Sequence, residues 1–360
     1  MVSIVAVVGE KGSGRTGGEQ YNARLLQVAR QAGFHVSYVT WQGSWLDKLM
    51  GLPLLWRMRF FTRSIQLTWK LWRSSGDVLI DIWLAPYVQY WAKQTSRNII
   101  VIVHHLRGAL EQNSRIQLAE KMLIQAASSV LTVSESSKRQ VLEQREGNIS
   151  VSIIPPGFAR PTLQYEKLEP IKDKVQLLFV GHITRAKGIL DVLEAIALLT
   201  DKHWFLNVVG SGEAEPETWN KAKEMIEDNE LSMQVTMHGR VEDDVLQVLY
   251  QQADVFVLPS YWEGYGIVFL EAMSFGLPVI STMAGAISEV VEHESCGLLV
   301  EVGDVQALSQ ALEEVISKPE KRKIWSRNAK VKADKALDWQ SIEQCFLAWW
   351  QQREVDARQN

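Results

Sequence analysis

The sequence predicts an α/β protein built as two doubly wound parallel sheets, one after the other. Three observations carry this. Short apolar runs alternate with helix-period segments along most of the chain, the pattern of parallel strands joined by crossover helices. The alternation passes through six strand candidates, pauses at a polar stretch, and passes through six more. The 360 residues are the length of two ordinary domains.

The first series is Val2–Val8, His35–Thr40, Val78–Ile82, Ile99–Val103, Ser129–Val133 and Val151–Ile154, with helical patterns such as Gln20–Ala32 between most of them. Pro155-Pro156-Gly157 and the charge-rich stretch Gln164–Lys174 then read as a hinge. The second series is Val175–Val180, Phe205–Val209, Val235–His238, Val255–Leu258, Val279–Ser281 and Leu298–Val300. The expected domains are 1–160 and 174–336. Open α/β sheets bind ligands at the carboxyl ends of their strands, so two of them facing each other predict an interdomain cleft.

Composition narrows the function. A hydrophobic fraction of 46% with 22% charged residues is ordinary for a globular protein. A net charge of −4 argues against a general nucleic-acid binder. Cys296 and Cys345 lie too far apart in sequence for a disulfide framework or a metal cluster, and a reducing, cytoplasmic setting follows. No apolar run reaches 18 residues, as a spanning helix would need, and Val2–Val8 lacks a basic flank and reads as a strand rather than a signal peptide.

The most informative stretch is Pro259–Thr282, PSYWEGYGIVFLEAMSFGLPVIST. It follows the apolar run Asp254–Leu258 and places Glu-Gly-Tyr-Gly between a strand and a helical segment. A strand, a glycine-rich turn and a helix present backbone N–H groups to an anionic or polyol ligand. Glu263 and Glu271 lie eight positions apart across that turn, with Glu271 placed at or near the helix start. The two carboxylates can therefore face one cleft, each holding a pair of sugar-like hydroxyls. The plainer alternative is a buried strand–turn–helix with two capping glutamates.

The loop Gly9–Thr16, GEKGSGRT, imitates two other motifs. It fits a phosphate-binding P-loop except that Arg15 replaces the lysine that reaches the β/γ-phosphates, and Val78–Asp81 imitates a Walker B strand. Gly12, Gly14 and Gly17 fit GxGxxG, but the second strand ends Thr40-Trp41-Gln42 without the acidic residue a dinucleotide site expects. The third reading is Gly17-Gly18-Glu19 opening a helix.

Pro259–Thr282 resembles the donor-binding motif of the family 4 glycosyltransferases, the retaining GT-B enzymes. Pro-Ser, Glu-Gly-aromatic-Gly, the seven-residue spacing to Glu-Ala-Met, and Gly-x-Pro-Val all stand here in order. The resemblance extends to Gly17-Gly18, where a glycine pair lets substrate approach the backbone. It extends also to Phe179–Gly188, which resembles Val-Gly-Arg-x-x-x-x-Lys-Gly. Val208–Gly212, Gly285–Val291, Leu131–Lys138, Leu298–Asp304 and Asp338-Trp339 fit as well, with Ala286 where a second glycine is common. The resemblance implies two Rossmann-like domains facing a cleft, with a C-terminal helix, about 337–355, packing back on the first domain.

The resemblance also implies roles. Glu263 and the amides of Gly264, Tyr265, Gly266 and Ile267 would hold donor sugar, Glu271 the ribose, and Gly18 would let substrate close. Lys187 would neutralise the donor diphosphate with Arg185 or His182; His182 stands where arginine is usual, and an imidazole does not reproduce a guanidinium fork. Arg185 has the alternative of a solvated loop charge. A histidine near the reacting sugar falls on His104 or its neighbour His105, which points to the opposite face. Ser134 opens a helix and can serve simply as its N-cap.

The expected activity is therefore transfer of a sugar from a nucleotide diphosphate sugar to a glycan or lipid-linked acceptor, with retention. No Asp-x-Asp motif stands where a donor site would need one, so neither a metal nor a further cofactor is expected. The segment Trp41–Arg73 carries Trp45, Trp56, Trp69, Trp72, Phe60 and Phe61, interleaved with Arg57, Arg59, Arg63, Lys70 and Arg73. It reads either as a surface for anionic lipid on the cytoplasmic face of a membrane, or as helices packed on the first sheet with snorkelling arginines. The rivals from other classes are a P-loop nucleotide hydrolase and a non-catalytic sugar-nucleotide binder.

Overall fold

The computed structural model describes residues 3–7, 17–40, 53–145, 147–159 and 174–359, and the side chains of 53–59, 109, 354 and 356–359 lie outside the description. Among the described residues, twelve strands form two six-stranded sheets. The first sheet holds β1 (Ser3–Val7), β2 (His35–Val39), β3 (Asp77–Asp81), β4 (Ile99–Val103), β5 (Ser129–Thr132) and β6 (Ser150–Ile153), in the order β2-β1-β3-β4-β5-β6. The second holds β7 (Val175–Val180), β8 (Trp204–Val209), β9 (Val235–Gly239), β10 (Val255–Leu258), β11 (Val279–Thr282) and β12 (Gly297–Val300), in the order β12-β11-β10-β7-β8-β9. Every pairing is parallel.

Strands covered on both faces can be apolar throughout, which is why they stand out in the sequence. All five residues of β4, Ile-Ile-Val-Ile-Val, are buried, as are all four of β10, Val-Phe-Val-Leu. β3 ends at Asp81 rather than running through Ile82. The Asp81 carboxylate accepts the N–H of Trp83 and starts a 3-10 turn over Ile82–Leu84.

The chain divides into two compact units, Met1–Pro156 with Gln340–Asn360, and Gly157–Trp339. In the first, the helix Gly17–Gln31 buries Tyr21, Leu25 and Val28, a spacing of four and three that makes one face. The Tyr21 hydroxyl donates to the Ile154 carbonyl at 2.8 Å. The helix Trp339–Gln359 buries Ile342, Phe346 and Trp350, four residues apart. It is tied to the same unit by Trp349 Nε1 donating to Ser152 Oγ (3.0 Å), by Arg24 with Glu343 (2.5 Å), and by an ion pair of Arg353 with Asp77. The second unit has its own core, running from Leu177 and Phe179 through Val255–Leu258 to Leu312 and Val315.

Both sheets reverse their direction of growth beside their first strand. In the first sheet that point is β1/β3, and in the second it is β7/β10. Such a switch point leaves a crevice outside the carboxyl ends of the two strands, because the helices that follow them lie on opposite faces.

Candidate functional site

The second unit's switch point brings Lys187 and Glu263 together. Lys187 follows β7 and ends a 3-10 turn, Arg185–Lys187. Gly188 stops that turn in the left-handed region (φ 72°), and a Cβ there would lie 2.2 Å from the Pro259 carbonyl oxygen, so the β7 and β10 loops can meet only at glycine. Tyr261 N–H donates to the Ala186 carbonyl at 2.8 Å and laces the same loops. Across this seam Lys187 Nζ lies 2.5 Å from Glu263 Oε1. Ser260 Oγ donates to the same oxygen at 2.8 Å.

The β11 loop fixes the backbone of Glu263. Ala286 N–H donates to the Glu263 carbonyl at 3.0 Å. Gly285, at φ 59°, would place a Cβ 2.3 Å from that carbonyl oxygen. Three loops from three adjacent strands thus converge on Glu263, the β7 and β10 loops at its carboxylate and the β11 loop at its backbone; its side chain is 12% exposed and that of Lys187 is 26% exposed. Gly264, Tyr265 and Gly266, which follow Glu263 in the chain, are all partly buried. Burial, and beyond it the charge of Glu289, pushes the Tyr265 phenol up, so it remains a neutral hydrogen-bonding group.

Glu271 has a different neighbourhood. Its helix, Ile267–Ser274, begins directly after the left-handed Gly266, so Glu271 is the fifth of eight residues and not the first. Its carboxylate faces the hydroxyl of Tyr250, 3.4 Å from Oε2. Tyr250 is buried, its ring stacked 5.1 Å from that of Phe275. Burial raises the Glu271 carboxyl above its ordinary range; the Tyr250 hydroxyl opposes this and Asp243 adds to it.

His182 and Arg185 both lie exposed on the loop before Lys187. The Arg185 backbone N–H donates to Glu215 Oε2 at 2.8 Å. Its guanidinium acts electrostatically on Asp191 and Tyr261, whose hydroxyl donates to Asp191 Oδ1 at 3.3 Å. Thus of the second-unit residues singled out from sequence, Lys187 and Glu263 touch, Gly264–Ile267 continue from them, Glu271 and Arg185 have other partners, and His182 lies exposed on the loop after β7.

The first unit's switch point gathers a second polar group. His104 follows β4, and its Nε2 lies 3.1 Å from Asn22 Oδ1 and 3.5 Å from Asp81 Oδ2. Asn22 Nδ2 donates to Asp81 Oδ2. Gly18 leaves room for the ring, since a Cβ there would come 3.3 Å from Nε2. Tyr21 meets the ring edge-on at a centroid distance of 5.4 Å, and Ser137 Oγ donates to the His104 carbonyl at 2.6 Å. The ring at the head of the glycine-opened helix is therefore that of His104. Ser134 serves as the N-cap of Glu135–Gln144, accepting from Ser137 N–H.

The sequence pattern assigns no site role to Asn22, Asp81 or Ser260. Asp81 drew notice only as a Walker B imitation, and the structure instead gives its carboxylate to Asn22, His104 and a helix cap. The P-loop imitation itself, Gly9–Thr16, lies outside the described residues.

Residues 162–332, which make up most of the second unit, match the model of the glycosyl transferases group 1 family. A glycosyltransferase of Haemophilus influenzae is 30% identical over 207 residues, 56% of this chain and 56% of that protein. A teichuronic acid biosynthesis glycosyltransferase, TuaC, of Bacillus subtilis, is 31% identical over 261 residues, 70% of this chain and 60% of that one. The chain thus spans a little over half the length of these curated relatives. Among solved structures, HepE of Anabaena in complex with UDP and glucose superposes with a TM-score of 0.75 at 17% identity, covering 98% of this chain and 100% of that one. At that identity the likeness is one of fold, and the fold is GT-B: two Rossmann-like units.

Proposed function

We propose that this protein is a retaining glycosyltransferase of family 4 that moves a sugar from a nucleotide diphosphate sugar to a glycan or lipid-linked acceptor in cell-surface polysaccharide or glycolipid synthesis. One observation carries the reading: Lys187, Glu263 and Ser260 form a hydrogen-bonded knot at the switch point of the second sheet, beside the amides that open the helix Ile267–Ser274. A cation, an acceptor for hydroxyls and a row of N–H groups suit a diphosphate joined to a sugar. The naming of the B. subtilis relative for teichuronic acid biosynthesis and the UDP and glucose bound to HepE favour the same class.

In this reading Glu263 and the Gly264–Ile267 amides hold the sugar hydroxyls. Glu271 holds the ribose. Lys187, with Arg185 or His182, stabilises charge on the departing diphosphate. His104 and Gly18 act at the reacting sugar, and a phosphate oxygen of the donor takes the acceptor proton during front-face attack. The reaction needs no resident metal, because the cations of the chain take that electrostatic role.

The acceptor side includes a membrane surface. On the helix Pro53–Arg73, Phe61, Ile65, Trp69 and Trp72 are all exposed and follow one another by four, four and three residues, so they form one stripe. Arg73 lies over the Trp69 ring at 4.6 Å, an aromatic-cation edge suited to anionic headgroups. The opposite face buries Leu67 and Leu71, and Lys70 Nζ is spent on the Thr40 carbonyl at 2.6 Å. Trp45 lies outside the described residues, as do the side chains of Trp56, Arg57 and Arg59. Among the described residues no helix is long and apolar enough to cross a membrane.

The test is a thermal-shift screen of nucleotide diphosphate sugars, since a bound donor stabilises the native state by mass action. The true donor raises the Tm of the wild type and fails to raise that of Glu263→Ala. No shift with any nucleotide sugar would sink the proposal.

A further inference from the structure

We propose that Asn22 and Asp81 are positioning residues that hold His104 as the Nε2-protonated tautomer, so that Nδ1 is the ring's hydrogen-bond acceptor toward substrate. The inference follows from the donor and acceptor inventory of three side chains. A carboxylate only accepts. The Asn22 atom bonded to Asp81 Oδ2 must therefore be the amide nitrogen, and the amide oxygen then faces His104. His104 Nε2 has two oxygens beside it, Asn22 Oδ1 at 3.1 Å and Asp81 Oδ2 at 3.5 Å. A ring lone pair pointed at two acceptors is repelled, whereas a ring N–H is bonded, so the proton sits on Nε2. The second Asp81 oxygen is committed to Trp83 N–H, which keeps the carboxylate from turning away.

The fold supplies this arrangement. Asn22 is on the helix after β1, Asp81 ends β3 and His104 follows β4. β3 lies between β1 and β4, so these three neighbouring strands deliver the three groups to one end of the sheet. Asp81 is 9% exposed, and its attraction for the ring proton is weakly screened there. The chemical consequence is directional. An Nδ1 lone pair receives a hydrogen bond from a sugar hydroxyl and does not donate one, so His104 selects a hydroxyl donor at that point on the substrate.

The inference rests on the proposal that His104 acts at the reacting sugar, and the experiment separates the two. The full chain, labelled with 15N-histidine, is examined by long-range 1H–15N correlation with the ring neutral, and the His104 signals are assigned by their loss in His104→Gln. Nε2 is expected to carry the proton in the wild type. In Asn22→Leu/Asp81→Leu the preference is expected to vanish and kcat to fall roughly 10- to 100-fold, with the donor KM little changed. Asn22→Leu alone leaves the Asp81 cap in place and is expected to show a smaller change in the same direction, which guards against misfolding of the double variant. An Nδ1-protonated wild type, or a tautomer ratio unmoved in both variants, overturns the inference. A tautomer that shifts while transfer stays at the wild-type rate supports the positioning and removes His104 from the reaction.

Discussion

Replacing Lys187 by alanine tests the donor site most directly. In the free protein its ammonium is 2.5 Å from Glu263 Oε1, with the two side chains 26% and 12% exposed. The pair lies between the surface case, about 0–1 kcal/mol, and the buried case, where removing one partner costs about 3–5 kcal/mol. Ser260 remains as a donor to the same oxygen. A loss of about 1–2 kcal/mol follows, or roughly 2–8 °C in Tm at about 2–4 °C per kcal/mol for a domain of this size.

The effect on ligand is larger for one part of the donor than for the rest. A hydrogen bond to a charged group contributes roughly 1.5–3 kcal/mol, which is about 10- to 150-fold in Kd. The diphosphate must share Nζ with Glu263 or draw it away, so the lower part of that range is expected, about 10- to 30-fold. A nucleoside without phosphates gains nothing from Nζ and should bind both proteins equally. Isothermal titration of nucleoside diphosphate and nucleoside against wild type and Lys187→Ala measures the difference. Equal losses for the two ligands, or none for the diphosphate, would refute the assignment of Lys187.

Other consequences can be measured alongside. Burial holds the Glu271 carboxyl above its ordinary value, so the folded state binds its proton more tightly than the unfolded chain, and the penalty for ionising it grows as pH rises past about 4. Glu271→Gln, neutral throughout, should gain Tm relative to the wild type between about pH 4 and 7, and should bind donor more weakly; a Tm difference flat with pH contradicts the burial argument. Gly285→Ala forces a side chain into a left-handed backbone 2.3 Å from the Glu263 carbonyl, and should destabilise by about 2–3 kcal/mol in denaturant titration; an unmoved midpoint would show that the β11 loop is not rigid. Trp69→Ser/Trp72→Ser should reduce flotation with acidic vesicles at low salt without altering donor binding, and a wild type that stays in the soluble fraction rules out the membrane surface.

The sheets were legible because strands buried on both faces leave near-continuous apolar runs, as in Ile99–Val103 and Val255–Leu258. The ends were less so: Ile82 reads as a strand residue until the Asp81 carboxylate is seen capping the next turn. Local motifs also pointed to Lys187 and Glu263, because each sits in a dense pattern of glycines and prolines. What no pattern could convey is a partnership between side chains from different strands. Asn22 and Asp81 are 59 residues apart, Asn22 and His104 are 82, and only the order β2-β1-β3-β4 makes them neighbours. Tyr250 and Glu271 likewise meet across two helices, Asp243–Gln252 and Ile267–Ser274, that nothing in the sequence pairs.

The helix Trp339–Gln359 has a consequence in time as well as in space. A ribosome completes the six strands of the first sheet early, but the face that receives Trp350 stays open until the whole second unit has been synthesised. The second unit, contiguous from Gly157 to Trp339, needs no such wait. The later-made half can therefore complete its core first, while the earlier-made half spends the interval with the apolar flank that receives Ile342, Phe346 and Trp350 uncovered.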